Sequence, residues 1–135
     1  MLIRGPQFKS GTIDSDRFVS PLGLVLTRIT VDLAATGTSA IYTVPAGKTA
    51  LVQGIVFRAL GAAGSDPTVS VGINPSTDNI FDSQQLVNFP TVGNLFTLWN
   101  DKGVSTISNA ADQIDLNVVV ASSLTAEVFV LGFLL

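Results

Sequence analysis

The sequence predicts an all-β chain: a jelly-roll-like β-sandwich of about eight antiparallel strands, preceded by an extended N-terminal arm. Short runs rich in Val, Ile, Leu, Thr and Phe recur from residue 24 to the end, separated by clusters of Gly, Pro, Asn, Asp and Ser. Several runs alternate apolar and polar residues, and no helical period survives beyond a turn. A sheet with one apolar face must bury it against another sheet, so a sandwich is the economical solution and a closed barrel the nearest rival.

Residues 24–33 form the first run, closed by Ala34-Ala35-Thr36-Gly37. Residues 40–44 make a short strand that stops at Pro45-Ala46-Gly47, a natural tight turn. Residues 48–60 are the longest strand, with Leu51, Ile55 and Phe57 expected on one face and Val52, Val56 and Arg58 on the other. Gly54 within it signals a bulge or a close backbone approach.

After a small loop at 61–66, residues 68–74 alternate, with Val69, Val71 and Ile73 inward. The cluster 74–79 is a turn, and 80–94 reads as a long irregular loop anchored by Phe81, Leu86, Val87 and Phe89. Residues 95–99 form a strand, 100–103 a turn and 104–107 a short strand. In 113–121, Ile114, Leu116, Val118 and Val120 share a face opposite Asp115 and Asn117.

The last run, 124–135, is nearly continuous: Phe129, Leu131, Phe133 and Leu135 on one face, Val128, Val130 and Leu134 on the other. As an open edge such a strand would aggregate. It must be central in its sheet, or covered by the arm or a partner.

The 135 residues make one domain's worth of chain, divided into an arm at 1–22 and a sandwich domain at 23–135. Residues 1–30 carry a net charge of +2 and residues 31–135 a net charge of −5. Gly5-Pro6, Gly11 and Ser20-Pro21 break regular structure in the arm, yet Ile3, Phe8, Ile13, Phe18 and Val19 are spread through it. A flexible tail avoids such residues. The arm therefore docks, either into a neighbour's groove or back over its own sheet. Its candidate contact residues are Arg4, Phe8, Lys9, Ile13, Arg17 and Phe18. On the body, Phe81, Phe89, Trp99 and Phe133 are candidate interface or rim residues, with core-capping the competing role for the loop aromatics.

Charged residues are 13% of the chain against roughly 25% in an ordinary domain. So apolar a surface is expected to be covered by neighbours. With no Cys and no His, thiol chemistry, imidazole bases and most metal sites are excluded. The net charge of −3 disfavours direct nucleic-acid binding. The opening MLIRGPQFKSG lacks the apolar core of a signal peptide, and no run is long enough to span a membrane.

Candidates for the paired carboxylates of glycosidase chemistry, about 5–9.5 Å apart, are Asp78 with Asp82, or Asp112 with Asp115 and Asp101. All lie in or beside turns, where Asp serves the backbone. Neither Asp14-Ser15-Asp16 nor the 74–82 loop has calcium-loop spacing. Gly61-Ala62-Ala63-Gly64 and Gly47-Lys48-Thr49 are not phosphate loops, since the first lacks the Gly-Lys-Ser/Thr close and the second the upstream glycine. No enzyme activity and no cofactor is expected. Trp99 and Tyr42 are the residues that a carbohydrate-binding module would use as stacking platforms.

The stretch Tyr42-Thr43-Val44-Pro45-Ala46-Gly47-Lys48-Thr49-Ala50-Leu51-Val52, followed by Ile55 and Val56, resembles a phrase of small structural proteins of tailed bacteriophages. Gly11-Thr12-Ile13-Asp14-Ser15-Asp16-Arg17-Phe18 is similar to linking segments of phage appendage and head-decoration proteins. The resemblance implies a capsid cement, or decoration, protein on the outer surface of the virion shell. Its implied partners are the major capsid protein and neighbouring copies of itself, as a homodimer or homotrimer. The same phrase also fits a tail, baseplate or fibre-associated component.

Overall fold

Over residues 25–100 and 107–135, which the computed structural model describes, the chain forms nine strands. They are β1 (Val25–Asp32), β2 (Gly37–Thr43), β3 (Ala50–Ala59), β4 (Thr68–Ile73), β5 (Phe81–Gln85), β6 (Leu95–Trp99), β7 (Ile107–Ser108), β8 (Gln113–Val120) and β9 (Thr125–Leu134). One sheet has the order β1-β9-β3-β6, with β7 pairing with β3, and the other has the order β2-β8-β4-β5. Every pairing is antiparallel. Consecutive strands up to β4 alternate between the sheets, and β8 and β9 return between earlier strands. Leaving the two-residue β7 aside, this is the eight-stranded jelly roll.

The position of β9 follows from its composition. Apolar on both faces, it is hydrogen-bonded on both sides, to β1 and to β3, and neither of its edges is open along the ladder. Its inner residues Ala126, Val128 and Val130 meet Val52, Ile55 and Phe57 of β3 in the core. Val69 and Val71 of β4 and Ile114, Leu116 and Val118 of β8 close that core from the other sheet. The Pro45-Ala46-Gly47 turn between β2 and β3 forms as expected: Lys48 N–H donates to the Pro45 carbonyl at 3.2 Å, and Gly47 takes φ +73°, open to glycine without strain.

Four expectations are corrected. The 80–94 region contains strand β5, an edge strand with only Phe81 buried and four polar residues exposed, so it carries no alternation to read. Within that region Val87 is exposed rather than an anchor. In β3 the register shifts between Val52 and Gly54, so Val52, Ile55 and Phe57 point inward together while Leu51, Val56 and Arg58 point outward. In β8, Val120 is exposed and Asp115 is buried, because Asp115 finds side-chain partners where Val120 has run past the core. The strand expected at 104–107 falls outside the described residues except for Ile107.

Candidate interface on the outer sheet face

The two outer faces of the sandwich differ in chemistry. On the β2-β8-β4-β5 sheet a hydrogen-bonded polar cluster surrounds Asp115 and Asn117. Asn74 Nδ2 donates to Asp115 Oδ2 at 2.9 Å and Gln113 Nε2 to Asp115 Oδ1 at 2.7 Å. Asn117 Oδ1 accepts from Thr38 Oγ1 at 3.3 Å, and its amide donates to Ser70 Oγ at 3.4 Å.

On the β1-β9-β3-β6 sheet the outward positions read in rows across four strands. Thr30, Glu127, Arg58 and Leu95 stand side by side, then Arg28, Phe129, Val56 and Thr97, then Val25, Leu131, Gly54 and Trp99. Phe133 and Leu51 follow. A charged row thus borders a mainly apolar field. Phe129, Leu131, Phe133, Leu51 and Val56 are half-buried by their neighbours, while Leu95 and Trp99 at the β6 edge are 63% and 64% exposed.

Glu127 orders the charged row. Its carboxylate is the acceptor for guanidinium groups on both flanking strands: Arg58 Nε donates to Oε1 at 2.9 Å, and Arg28 Nε donates to Oε2. The Arg58 hydrogen bond, with Arg28 in support, holds the Glu127 carboxyl below the usual carboxylate range, against a burial that would raise it. The Arg28 guanidinium also lies 5.9 Å from the centroid of the Phe129 ring, in cation–π range. Arg28 reaches Glu127 from the next row, so the cluster of two cations and one anion has a net positive charge, and the Arg28 side chain is largely exposed.

The Trp99 indole lies over Gly54, where no side chain intervenes. Beside it Leu51, Gln53 and Asn100 line a shallow hollow. The hollow's rim is pinned from the backbone, since Asn100 N–H donates to the Gln53 carbonyl at 2.8 Å and its side-chain amide to the Val52 carbonyl at 3.1 Å.

Of the body residues singled out from sequence, Trp99 and Phe133 stand on this face. Phe81 and Phe89 do not: they are 5% and 1% exposed, within the core, and Phe89 meets Phe57 edge-on with centroids 6.3 Å apart. For these two the core-capping role is the one the fold uses. Arg4, Phe8, Lys9, Ile13, Arg17 and Phe18 lie outside the described residues. Sequence reasoning passed over Arg28, Arg58 and Glu127 as a group. An acid and two bases embedded in apolar strands were the available signal, but the pairing of those strands was needed to join them.

Of the carboxylates weighed for catalysis, Asp78, Asp112 and Asp115 serve the fold, and Asp101 lies outside the described residues. Asp112 Oδ2 accepts from the Asn109 N–H at 2.7 Å, Asp78 Oδ1 accepts from Ser76 Oγ at 3.5 Å, and Asp115 is held by two amides. Among the described residues no three of His, Cys, Asp or Glu come together as a metal site. A hollow between the 61–66 and 86–94 loops is lined by Ala63, Ser65, Asp66, Asn88, Pro90 and Asn94, without an aromatic platform.

No protein-family model and no curated protein matches the chain in sequence. In three dimensions it is similar to a chain of the acidic stable capsid structure of Helicobacter pylori bacteriophage KHP30, at 15% identity and a TM-score of 0.56, over 78% of this chain and 83% of that one. A chain of the cyanophage Pam1 capsid asymmetric unit matches at 13% identity and a TM-score of 0.46, over 77% of this chain and 80% of that one. The likeness to the first is a likeness of fold, and it covers most of both chains.

Proposed function

We propose that this chain is a non-enzymatic structural protein of a phage virion, associated with the capsid, and more specifically a cement or decoration protein that braces the coat-protein shell from its outer surface at subunit junctions. The observation that carries the reading is the jelly-roll likeness to a chain of a phage capsid structure over 78% of this sequence. The unequal outer faces support it, because a protein that seats on a shell needs one face for the joint and another for water.

The mechanism is burial rather than chemistry. At roughly 25 cal/mol per Å², about 400 Å² of apolar contact gives on the order of 10 kcal/mol gross, before association costs. Repetition over a symmetric shell multiplies a modest gain per copy. The partners are the major capsid protein and neighbouring copies of this chain, in a homodimer or homotrimer. The arm, through Arg4, Phe8, Lys9, Ile13, Arg17 and Phe18, clamps the neighbour.

Quantitative mass spectrometry of purified particles tests the reading. A copy number equal to that of the major coat protein, or a fixed simple fraction of it, supports cement. A few copies per hundred coat proteins moves the chain to a tail, baseplate or fibre, and absence from particles overturns a virion role altogether.

A further inference from the structure

The two sheets end in four edge strands, and three of these edges are guarded against pairing. Strand β1 carries Arg28 and Asp32, β2 has a register shift between Ala40 and Tyr42, and β5 carries Asp82 among polar side chains. Strand β6 has no guard: Leu95-Phe96-Thr97-Leu98-Trp99 holds neither a charge nor a proline, and its register with β3 is unbroken. Among the described residues nothing pairs with its far side. We propose that this edge is the contact with a second copy of the chain: β6 pairs antiparallel with β6 of the other copy about a two-fold axis at Thr97, and the two sheets run on as one.

The ladder to β3 decides which backbone groups face the opening. Ala59 N–H donates to the Asn94 carbonyl at 2.9 Å, and Asn100 N–H donates to the Gln53 carbonyl at 2.8 Å. Bonding alternates along an antiparallel ladder, so Phe96 and Leu98 bond to β3, while Leu95, Thr97 and Trp99 turn their N–H and C=O groups away from it. Such a row is a template for one more antiparallel strand.

The side chains select the same strand as the partner. Leu95 and Trp99, both largely exposed, stand two residues to either side of Thr97 on the outer face. A two-fold contact sets residue i against j and j against i. With Thr97 on the axis, Leu95 of each copy lies opposite Trp99 of the other, and no charged residue of β6 meets its like. An axis one residue to either side would set Thr97 against Leu95 or Trp99 and leave the second apolar side chain beyond the partner strand. Five paired residues span about 17 Å, a contact smaller than the ~800 Å² per partner of a stable complex, so dilution reverses it.

The inference does not rest on the virion reading, because it is tested on purified protein with no shell present. The chain has no cysteine, so a disulfide in a single-cysteine variant can only join two copies. Directly opposed residues of a bonded antiparallel pair have Cα atoms about 5.5 Å apart, within disulfide reach. Under mild oxidation T97C is expected to form covalent dimer at least several-fold faster than T30C, which places its thiol on the same sheet at the opposite edge. A mixture of L95C and W99C is expected to join unlike chains in preference to like ones. The unaltered chain carries the test without any variant: sedimentation from about 1 mM to about 1 µM should follow a dimer into monomer, with Trp99, the one tryptophan, opening to acrylamide in step. T97K, which places a charge on the axis, should stay monomeric throughout. T97C no faster than T30C, like chains joined first in the mixture, a trimer, or a monomer at every concentration would each overturn the proposal.

Discussion

A β-carbon placed on Gly54 would stand 2.9 Å from Cε3 of Trp99 and 2.9 Å from the carbonyl oxygen of Leu98 on the adjoining strand. The exposed indole is therefore seated in a notch left by a missing side chain, and that notch coincides with the register shift of β3. Bulge and close approach are the two meanings a mid-strand glycine can carry, and here both apply. Gly54→Ala must push against a backbone carbonyl as well as the ring, with an expected cost of about 1–3 kcal/mol. Chemical denaturation read by Trp99 emission measures both effects: a lower unfolding midpoint and a changed native emission maximum. An unchanged midpoint would mean that β6 yields freely.

Glu127 gives stability a pH dependence with a definite sign. Its folded pKa lies below the unfolded value, mainly through the Arg58 hydrogen bond, so the unfolded chain takes up this proton first as pH falls. The stabilisation is complete above the ordinary carboxylate range and is lost as pH drops through the lowered folded value. Glu127→Gln removes the titration and leaves Arg28 and Arg58 without their shared anion. The Tm gap between the native protein and E127Q should therefore be widest near neutral pH and narrow steadily in the acid range. A gap independent of pH would show that the charge of Glu127 contributes nothing.

How much of this was legible before folding depends on how local each signal is. That β9 is either central or covered could be argued from Val128, Phe129, Val130 and Leu131 alone, because a strand apolar on both sides is not left as an open edge; its pairing with β1 and β3 decides for the centre. The phase of β3 could not be so argued, since one inserted residue, Gln53, exchanges the faces of everything before it, and the sequence marks the neighbouring Gly54 but not the exchange. Strand β5 was hidden for the opposite reason: an edge strand packed on one side through Phe81 alone has no pattern to display. The Arg28–Glu127–Arg58 cluster was least legible, because positions 99 and 69 residues apart become neighbours only once β9 lies between β1 and β3.

Asp115 anchors the polar outer face, and its loss should be mild. Asp115→Ala removes the acceptor of both Asn74 and Gln113, neither of which is fully buried, so water can take up the freed amides. A cost of about 1 kcal/mol is expected in equilibrium urea unfolding, near the net worth of an ordinary hydrogen bond. A loss several times larger would show that the carboxylate holds the 74–79 turn against the sheet.

Phe89 and Trp99, both flagged from sequence as aromatics of uncertain role, separate under the same substitution. Phe89 is 1% exposed and meets Phe57 edge-on, so Phe89→Ala should open a cavity and cost about 3–5 kcal/mol, enough to threaten folding of the isolated domain. Trp99 is 64% exposed and rests on a glycine, so in a dilute, monomeric sample Trp99→Ala should change stability by no more than about 0.5 kcal/mol. If neighbouring copies associate through this face, as the cement reading has it, the order reverses for assembly: W99A should lose oligomer, because exposed aromatics carry a disproportionate share of interface energy. Unfolding followed by circular dichroism and mass followed by sedimentation, on the same two variants, separate the roles. A W99A protein that unfolds early yet assembles normally would make Trp99 part of the fold and leave the outer face without its anchor.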